Sequence, residues 1–236
     1  MKSLCASLVV LSVVVATTAA SPQTPPAPAA GTDIYHVMLT KAAPGQAAEL
    51  GKVLMTPDKT QPMPDHFVVL RHQEGDDWDY AVIQHMGAKV EVTATPPAQA
   101  APARPLTAWH DDTFVSGPGW GEFTKQMALG GPANQIYIVG VHRAAAGHRE
   151  QLLAGLNAPA SGSSKIETGN ILFQHVEGAN WNFLTLTRYN SWQDLGTDRA
   201  GVASAAAATP GGWADIRQHS AFHRDTIADR IFPAAK

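Results

Sequence analysis

The sequence predicts an α+β fold in which two tandem repeats, each ordered strand, helix, strand, strand, helix, strand, close on one another as one intrachain α/β barrel. Three observations predict it. A set of motifs occurs twice in the same order. Within each copy the apolar residues alternate at period two and then recur at helical spacing. One copy alone would leave a sheet face without cover.

The doubling is read directly from the chain. "IYHVMLTKAAPGQAAELGKVL", from Ile34, returns as "IYIVGVHRAAAGHREQLLAGL", from Ile136. "HQEGDDWDY", from His72, returns as "HVEGANWNF", from His175, after one inserted residue. "WHDDTF", from Trp109, returns as "FHRDTI", from Phe222. Three blocks in one order point to duplication of a structural unit.

In chain order, Lys2, the apolar run Leu8 to Val15 and "ATTAA" have the make-up of a secretory signal peptide cut near Ala20, which predicts a secreted or periplasmic product. The run is shorter than the roughly 20 residues a bilayer span needs. Cys5, the only cysteine, falls in that segment, so the mature chain has no thiolate chemistry. Residues 21–32 hold "SPQTPPAPAA", a stiff tether with little apolar area to bury. The first repeat is then 33–116, a linker 117–133, and the second repeat 134–236.

Each repeat opens with a β-branched and aromatic run, Ile34 to Leu39 or Ile136 to Val141, and a turn at Gly45 or Gly147. Leu50, Val53 and Leu54, with Leu152, Leu153 and Leu156 in the second copy, fall on one helical face. A hairpin follows, Phe67 to Gln73 with Asp79 to Met86, repeated as Ile171 to Val176 with Asn182 to Tyr189. The second copy continues into "SWQDLGTDRAGVASAAAA", a helix, whereas the prolines of "TATPPAQAAPARP" forbid one in the first. Trp213, Ile216, Ser220, His223 and Ile227 then share a helical spacing. The "DTF" and "DTI" segments are expected to enter a last strand, with a helix lasting through Asp229 also open.

A unit of β, α, β, β, α, β is the ferredoxin-like split arrangement. On the blocks quoted above, over residues 33–233, the chain resembles the dimeric α/β-barrel superfamily. That group includes stress-responsive barrel, antibiotic-biosynthesis monooxygenase-like, NIPSNAP-like and chlorite dismutase-like heme proteins, here fused as two units. The resemblance implies a small-molecule-binding barrel, exported if the leader is cut, with oxygenase-type chemistry that is cofactor-free or heme-dependent. The GxxDG signature of dye-decolorizing peroxidases is absent. Two alternatives stand beside it: a non-enzymatic structural or interaction module, and a vicinal-oxygen-chelate-type enzyme with a divalent metal held on paired βαβββ units.

Alternation in the hairpins places Val68, Leu70, His72, Ala81, Ile83 and His85 on one face, and Phe67, Val69, Arg71, Tyr80, Val82 and Gln84 on the other. The first is the more apolar and is expected to pack the helices. The second, with Arg71, Gln84, Gln174, Thr185 and Thr187, is expected to line a ligand pocket inside the barrel.

Of ten histidines, two pairs recur at matching positions. His72 and His175 precede Glu74 and Glu177 and are read as loop-organising groups bonded to backbone or carboxylate, with Trp78 and Trp181 as anchors covering a core edge. His110 and His223 each stand in H-x-D-T, where Asp112 or Asp225 can orient an imidazole as general base or ligand, the capping and turn duties of Asp and Thr being the structural alternative. His219 and His223, four apart, could together hold a divalent metal if that segment is helical.

The net charge of −3 and scattered basic residues exclude a nucleic-acid stripe. No G-x-S-x-G elbow, P-loop or G-x-G-x-x-G fingerprint occurs, against α/β-hydrolase, nucleotide-dependent and Rossmann chemistry. A small molecule is the expected partner.

Overall fold

The computed structural model of the chain describes residues 31–60, 63–88, 104–132, 134–158, 166–204 and 212–234. The segment read as a signal peptide and nearly all of the one read as a tether lie outside them, as does most of the proline-rich stretch 93–105. Among the described residues are eight strands, β1 (Asp33–Ala42), β2 (Phe67–Glu74), β3 (Tyr80–Ala88), β4 (Thr107–Gly117), β5 (Ile136–Ala144), β6 (Glu167–Glu177), β7 (Phe183–Tyr189) and β8 (Ser220–Phe232). The same residues form five α-helices, α1 (Ala47–Leu54), α2 (Trp120–Gln126), α3 (Arg149–Asn157), α4 (Trp192–Ser204) and α5 (Trp213–His219).

The strands form a closed antiparallel barrel in the order β1-β3-β2-β8-β5-β7-β6-β4. The first half reads β4-β1-β3-β2 around the ring and the second β8-β5-β7-β6. The seams between halves are β2 against β8 and β4 against β6. Closure leaves no unpaired edge. Four antiparallel steps separate β2 from β6, so they run the same way and their following loops emerge at one end of the barrel.

The barrel interior is the main core. Tyr35, Val37, Val68, Leu70, Ile83 and Val115 meet Tyr137, Val139, Ile171, Phe173 and Leu186 in one buried cluster drawn from both halves. This corrects the expected assignment of faces. The more apolar hairpin face, with Val68, Leu70, His72, Ala81 and Ile83, points inward, and the face bearing Phe67, Val69 and Tyr80 packs α1. The reason is solvent access: the inside of an eight-stranded barrel is filled by side chains and sealed, whereas short helices shade only part of the outer face and leave room there for polar groups.

Outside, Leu50 of α1 packs with Phe67 and Val69, and Tyr80 Oη donates to Ala47 O at 2.7 Å. Leu152 and Leu153 of α3 pack with Phe183, with Ile216 of α5 beside them. Leu195 of α4 covers Ile136, Ile138 and Tyr189. The segment read as a linker carries α2, whose Phe123, followed by Met127, enters the interior core and closes one barrel end.

The opposite end is closed by the repeated E-G loops, and each grips the other half. Asp76 N–H donates to Thr226 Oγ1 at 3.2 Å, and Ala179 N–H to Thr113 Oγ1 at 3.2 Å. Gly75 and Gly178 hold φ of +130° and +118° and lie against the backbone of Asp225 and Asp112. Trp78 and Trp181 are buried in the core behind them.

The helical spacing read through Ile227 is also corrected. α5 stops at His219 and β8 begins at Ser220. β8 pairs with β5 on one side and β2 on the other, so ladder bonds on both flanks override the local periodicity.

Candidate functional site

Gly140, midway along β5, pairs with Thr185 of β7 and Asp225 of β8, and the next outward residue, His142, pairs with His223. Directly paired residues share a face, so strand register alone gathers His142, Thr185, His223 and Asp225 on the outer sheet surface. His223 Nε2 lies 2.8 Å from Asp225 Oδ1. The His142 ring stacks on that of His223, centroids 4.6 Å apart and planes within 14°. His142 Nε2 lies 3.0 Å from Thr185 Oγ1, and Thr185 Oγ1 is 3.5 Å from Gly140 O. Arg199 of α4 reaches Asp225 Oδ2 at 3.6 Å, tying the group to that helix.

A glycine is required at the centre. A Cβ on residue 140 would stand 2.4 Å from Thr185 Oγ1, 2.8 Å from His142 Nε2 and 3.1 Å from Asp225 Oδ1.

Burial pushes His142 down to about 4, aided by the neighbouring His223 charge, against the opposing pull of Asp225. It is therefore a neutral imidazole at neutral pH. With Nε2–H donated to Thr185, Nδ1 is an acceptor, and it is buried without a partner. For Asp225, burial raises the pKa, but the hydrogen bond from His223 and the charges of His223, Arg199 and His142 outweigh it and hold the carboxyl below its ordinary range.

The first half has a related but different cluster. Asp112 lies between two imidazoles, with His36 Nε2 at 2.8 Å from Oδ1 and His110 Nδ1 at 2.5 Å from Oδ2. Burial opposes ionisation of Asp112, yet its bonds and charge interactions with His36 and His110 prevail and lower its pKa.

Both H-x-D-T pairs thus come together as the spacing suggested. The sequence reading missed His36 and His142. Period-two alternation along β1 and β5 puts both on the outer face, and that was the available signal.

The other candidates are dispersed. Arg71 is on the outer surface and forms a two-pronged pair with Asp229 at 3.1 and 2.8 Å. Gln84 donates to Met63 O at 2.8 Å, and Gln174 accepts from Arg149 at 3.3 Å. Thr185 belongs to the His142 cluster, and Thr187 pairs with Ile138. None lines the interior, because the face that carries them is the outer one. Gln174 does border a surface cleft of about 200 Å³ with Glu122, Gln126, Asn157 and Asn170.

The His219 and His223 pairing for a metal is overturned. The break from helix to strand at Ser220 carries them apart, since four extended residues span roughly 13 Å. His219 Nδ1 instead meets His148 Nδ1 at 2.9 Å. Among the described residues no group of three or more His, Cys, Asp or Glu could hold a metal ion, which removes the support for the chelate alternative.

His72 and His175 also depart from expectation. Their rings point into the barrel and meet Trp78 and Trp181 edge-on at 5.6 and 5.7 Å, and neither Nε2 has a partner. Glu74 and Glu177 continue the strands as ladder residues, opposite Ile227 and Phe114. The loops are organised by Gly75, Gly178 and their grip on Thr226 and Thr113, with no bond from His72 or His175 Nε2.

One further group stands out on α4. Asp198, only 2% exposed, accepts from Tyr189 Oη at 2.9 Å through Oδ2, while Oδ1 is buried without a partner.

No protein-family model and no curated protein matches the sequence. Solved structures do. A candidate monooxygenase from Lactobacillus acidophilus NCFM superposes with a TM-score of 0.51 at 9% identity, over 84% of this chain and 94% of its own. An anthrone oxidase-like protein gives 0.56 at 10%, over 85% and 91%. At such identities the likeness shows the fold, an α+β barrel of the kind found in monooxygenase-like proteins. His36, His66, His85, His110, His148 and His219 each have a ring nitrogen bonded to a neighbour, and His72, His142 and His175 each keep one buried ring nitrogen without a partner.

Proposed function

We propose that the chain is an exported, single-chain oxygenase-type enzyme for a small aromatic substrate. In this reading it arose by tandem fusion of two ferredoxin-like units, 33–116 and 134–236, joined through 117–133 and preceded by a signal peptide over 1–20 and a tether over 21–32. The matching strand order of the two halves supports the fusion. Among the described residues no helix is long and apolar enough to cross a membrane.

The observation that carries the reading is the His223 and Asp225 pair on β8. An ionised Asp225 takes the Nε2–H and leaves Nδ1 of His223 as the proton acceptor, the arrangement a general base needs. A substrate with an acidic C–H beside an aromatic ketone loses that proton to His223, and the carbanion is delocalised over the ring system. Oxidation of the CH₂ group by O₂ then gives C=O and one water: one oxygen atom enters the product, the other leaves as water with both hydrogens, and no external reductant is consumed. The first proton returns from His223 to the departing oxygen. The neutral His142 stacked on His223 adds no second positive charge when His223 is protonated.

The test is oxygen uptake and quinone absorbance with 1,8-dihydroxyanthrone, without added cofactor. Wild type should exceed the buffer rate, and His223→Ala and Asp225→Asn should lose about 100-fold or more of that excess, the scale of a general-base contribution. A wild-type rate equal to buffer, or an undiminished His223→Ala, sinks the proposal.

A further inference from the structure

A second cluster of titratable groups lies at the end of the barrel that α2 closes. Asp33 opens β1, His85 stands late in β3, His66 directly precedes β2 and Trp120 is the first residue of α2. Asp33 Oδ2 is 2.7 Å from His85 Nε2 and also accepts from Trp120 N–H at 3.2 Å. On the far side of the same ring His85 Nδ1 lies 3.1 Å from His66 Nδ1, with ring centroids 5.4 Å apart, so the two imidazoles meet edge to edge. The backbone fixes the meeting, since His85 N–H donates to His66 O at 2.8 Å. The indole of Trp120 lies across both rings, 4.7 Å from His66 and 5.3 Å from His85, with planes within 14°. His85 is 4% exposed. His66 is half-buried, and its Nε2 has no partner among the described residues and is not shut away from solvent. The barrel does not require the cluster: β5 and β7 pair Tyr137 with Arg188 where β1 and β3 pair Tyr35 with His85, and Gln135 stands where Asp33 does.

The order of the protons follows from the carboxylate. Asp33 accepts, so His85 Nε2 carries a proton and its Nδ1 accepts from His66 Nδ1–H, which leaves His66 Nε2 as a proton-free acceptor open to solvent. A proton or an electrophile taken at that atom sends the Nδ1 proton of His66 onto His85 Nδ1. The positive charge then rests on the buried ring, beside Asp33. Burial and the charge of His85 lower the pKa of His66, against the pull of Asp65, so the acceptor is free at neutral pH. An imidazole backed in this way is an activated nucleophile.

We infer that Asp33, His85 and His66 form a second catalytic site, at which His66 Nε2 transfers acyl groups from activated aryl esters to water. Nε2 attacks the carbonyl carbon, a C–N bond forms, the C–O bond to the phenol breaks and the phenolate leaves with the electron pair, while His66 Nδ1–H passes to His85. Water then adds to the acyl-imidazole, the C–N bond breaks and His85 returns the proton to His66 Nδ1. The carboxylic acid keeps the hydroxyl of the water, and the other water proton goes to solvent and balances the phenolate. Nothing is oxidised or reduced. His66 is the catalytic residue, and His85 and Asp33 are positioning residues. The activity needs no O₂ and does not depend on the oxygenase reading.

The experiment is hydrolysis of p-nitrophenyl acetate by the protein, followed by nitrophenolate absorbance from pH 5 to 8. Wild type should exceed the buffer rate, and the excess should rise with pH to a plateau through a midpoint below the ordinary 6.5 of histidine. His66→Ala should lose the larger part of that excess. Asp33→Asn should move the midpoint to lower pH and lower the plateau, because the charge taken up by His85 loses its counterion; a purely structural Asp33 would change thermal stability and leave the midpoint in place. His148→Ala should leave the rate unchanged. His148 Nδ1 also meets an imidazole, that of His219, at 2.9 Å, but Asp215 stands 3.7 Å from His219 Nε2, too far for the hydrogen bond that Asp33 makes.

A measurement on folded wild type covers the case in which a variant unfolds: diethyl pyrocarbonate should carbethoxylate His66 before His148, as mapped by mass spectrometry. A wild-type rate equal to buffer, an undiminished His66→Ala, an unmoved midpoint in folded Asp33→Asn, or His148 reacting as fast as His66 overturns the inference.

Discussion

The imidazole of His142 lies flat on that of His223, 4.6 Å between centroids. Two imidazolium rings could not share that position without repulsion. One ring must stay neutral, and burial selects His142, which is 4% exposed and pushed down to about 4 from an ordinary 6.5.

The pH dependence follows from the sign of that shift. Below pH 6.5 the unfolded chain takes a proton at His142 that the native chain refuses until about pH 4, so stability falls as pH falls through this window, by up to about 3 kcal/mol. His66, lowered by burial and the neighbouring His85, acts in the same direction. Asp112 and Asp225, both lowered from 3.8, contribute stability that is lost only at still lower pH. Urea midpoints measured from pH 7 to 4.5 should drop, and His142→Gln should flatten the slope. An identical slope in the variant would contradict the assignment of His142 as the neutral ring.

Gly140→Ala puts a methyl group among Thr185 Oγ1, His142 Nε2 and Asp225 Oδ1. Backbone in the centre of a closed barrel cannot yield freely, so the side chains must move, at a cost of about 1 to 3 kcal/mol. The variant should show a lower denaturation midpoint, a His142 NMR titration moved up toward 6.5, and oxygen uptake reduced with the dyad disturbed. A wild-type His142 titration would show that the three groups do not crowd residue 140.

Arg188 ties the plug helix to the barrel. Its guanidinium, 8% exposed, donates to Gln126 O at 2.8 Å, Thr168 O at 2.6 Å and Asn190 Oδ1 at 3.0 Å. Arg188→Met should cost about 1 to 3 kcal/mol, because three acceptors, two of them half-buried, lose the donor that the buried Arg188 supplies. Hydrogen exchange should quicken first in α2 and the β6 start, ahead of the rest of the barrel. Uniform loss of protection would show that α2 is not a separable closure.

The strand and helix sequence and both H-x-D-T pairs were legible because they are local: periodicity and short spacings are written in neighbouring residues. Which hairpin face turns inward was not. Phe67 and Val69 on one side and Val68 and Leu70 on the other are similarly apolar, and only closure of eight strands decides between them. The end of α5 was equally hidden, since Ser220 to Ile227 keeps helical spacing in sequence while pairing on both sides in space. His36, His142 and Asp198 were missed for a related reason: cross-strand register and helix packing create their significance, and no short motif carries it.

The seam loops provide the last prediction. Gly75 and Gly178 hold φ values that L side chains rarely adopt, and a Cβ there would approach Asp225 O to 2.6 Å and Asp112 O to 2.4 Å. Each contact joins one half of the chain to the other, so an added methyl group pushes the loop off the seam and breaks the bond to Thr226 or Thr113. Gly75→Ala and Gly178→Ala should each cost about 2 to 4 kcal/mol, combining backbone strain with a lost hydrogen bond. The loops grip different seams, β2 with β8 and β4 with β6, and share no partner, so the double variant should be additive within about 0.5 kcal/mol. Equilibrium urea unfolding of the two single variants and the double variant measures this. Strong non-additivity would mean that the two seams open as one unit and that the barrel end, instead of each loop, is the element being strained.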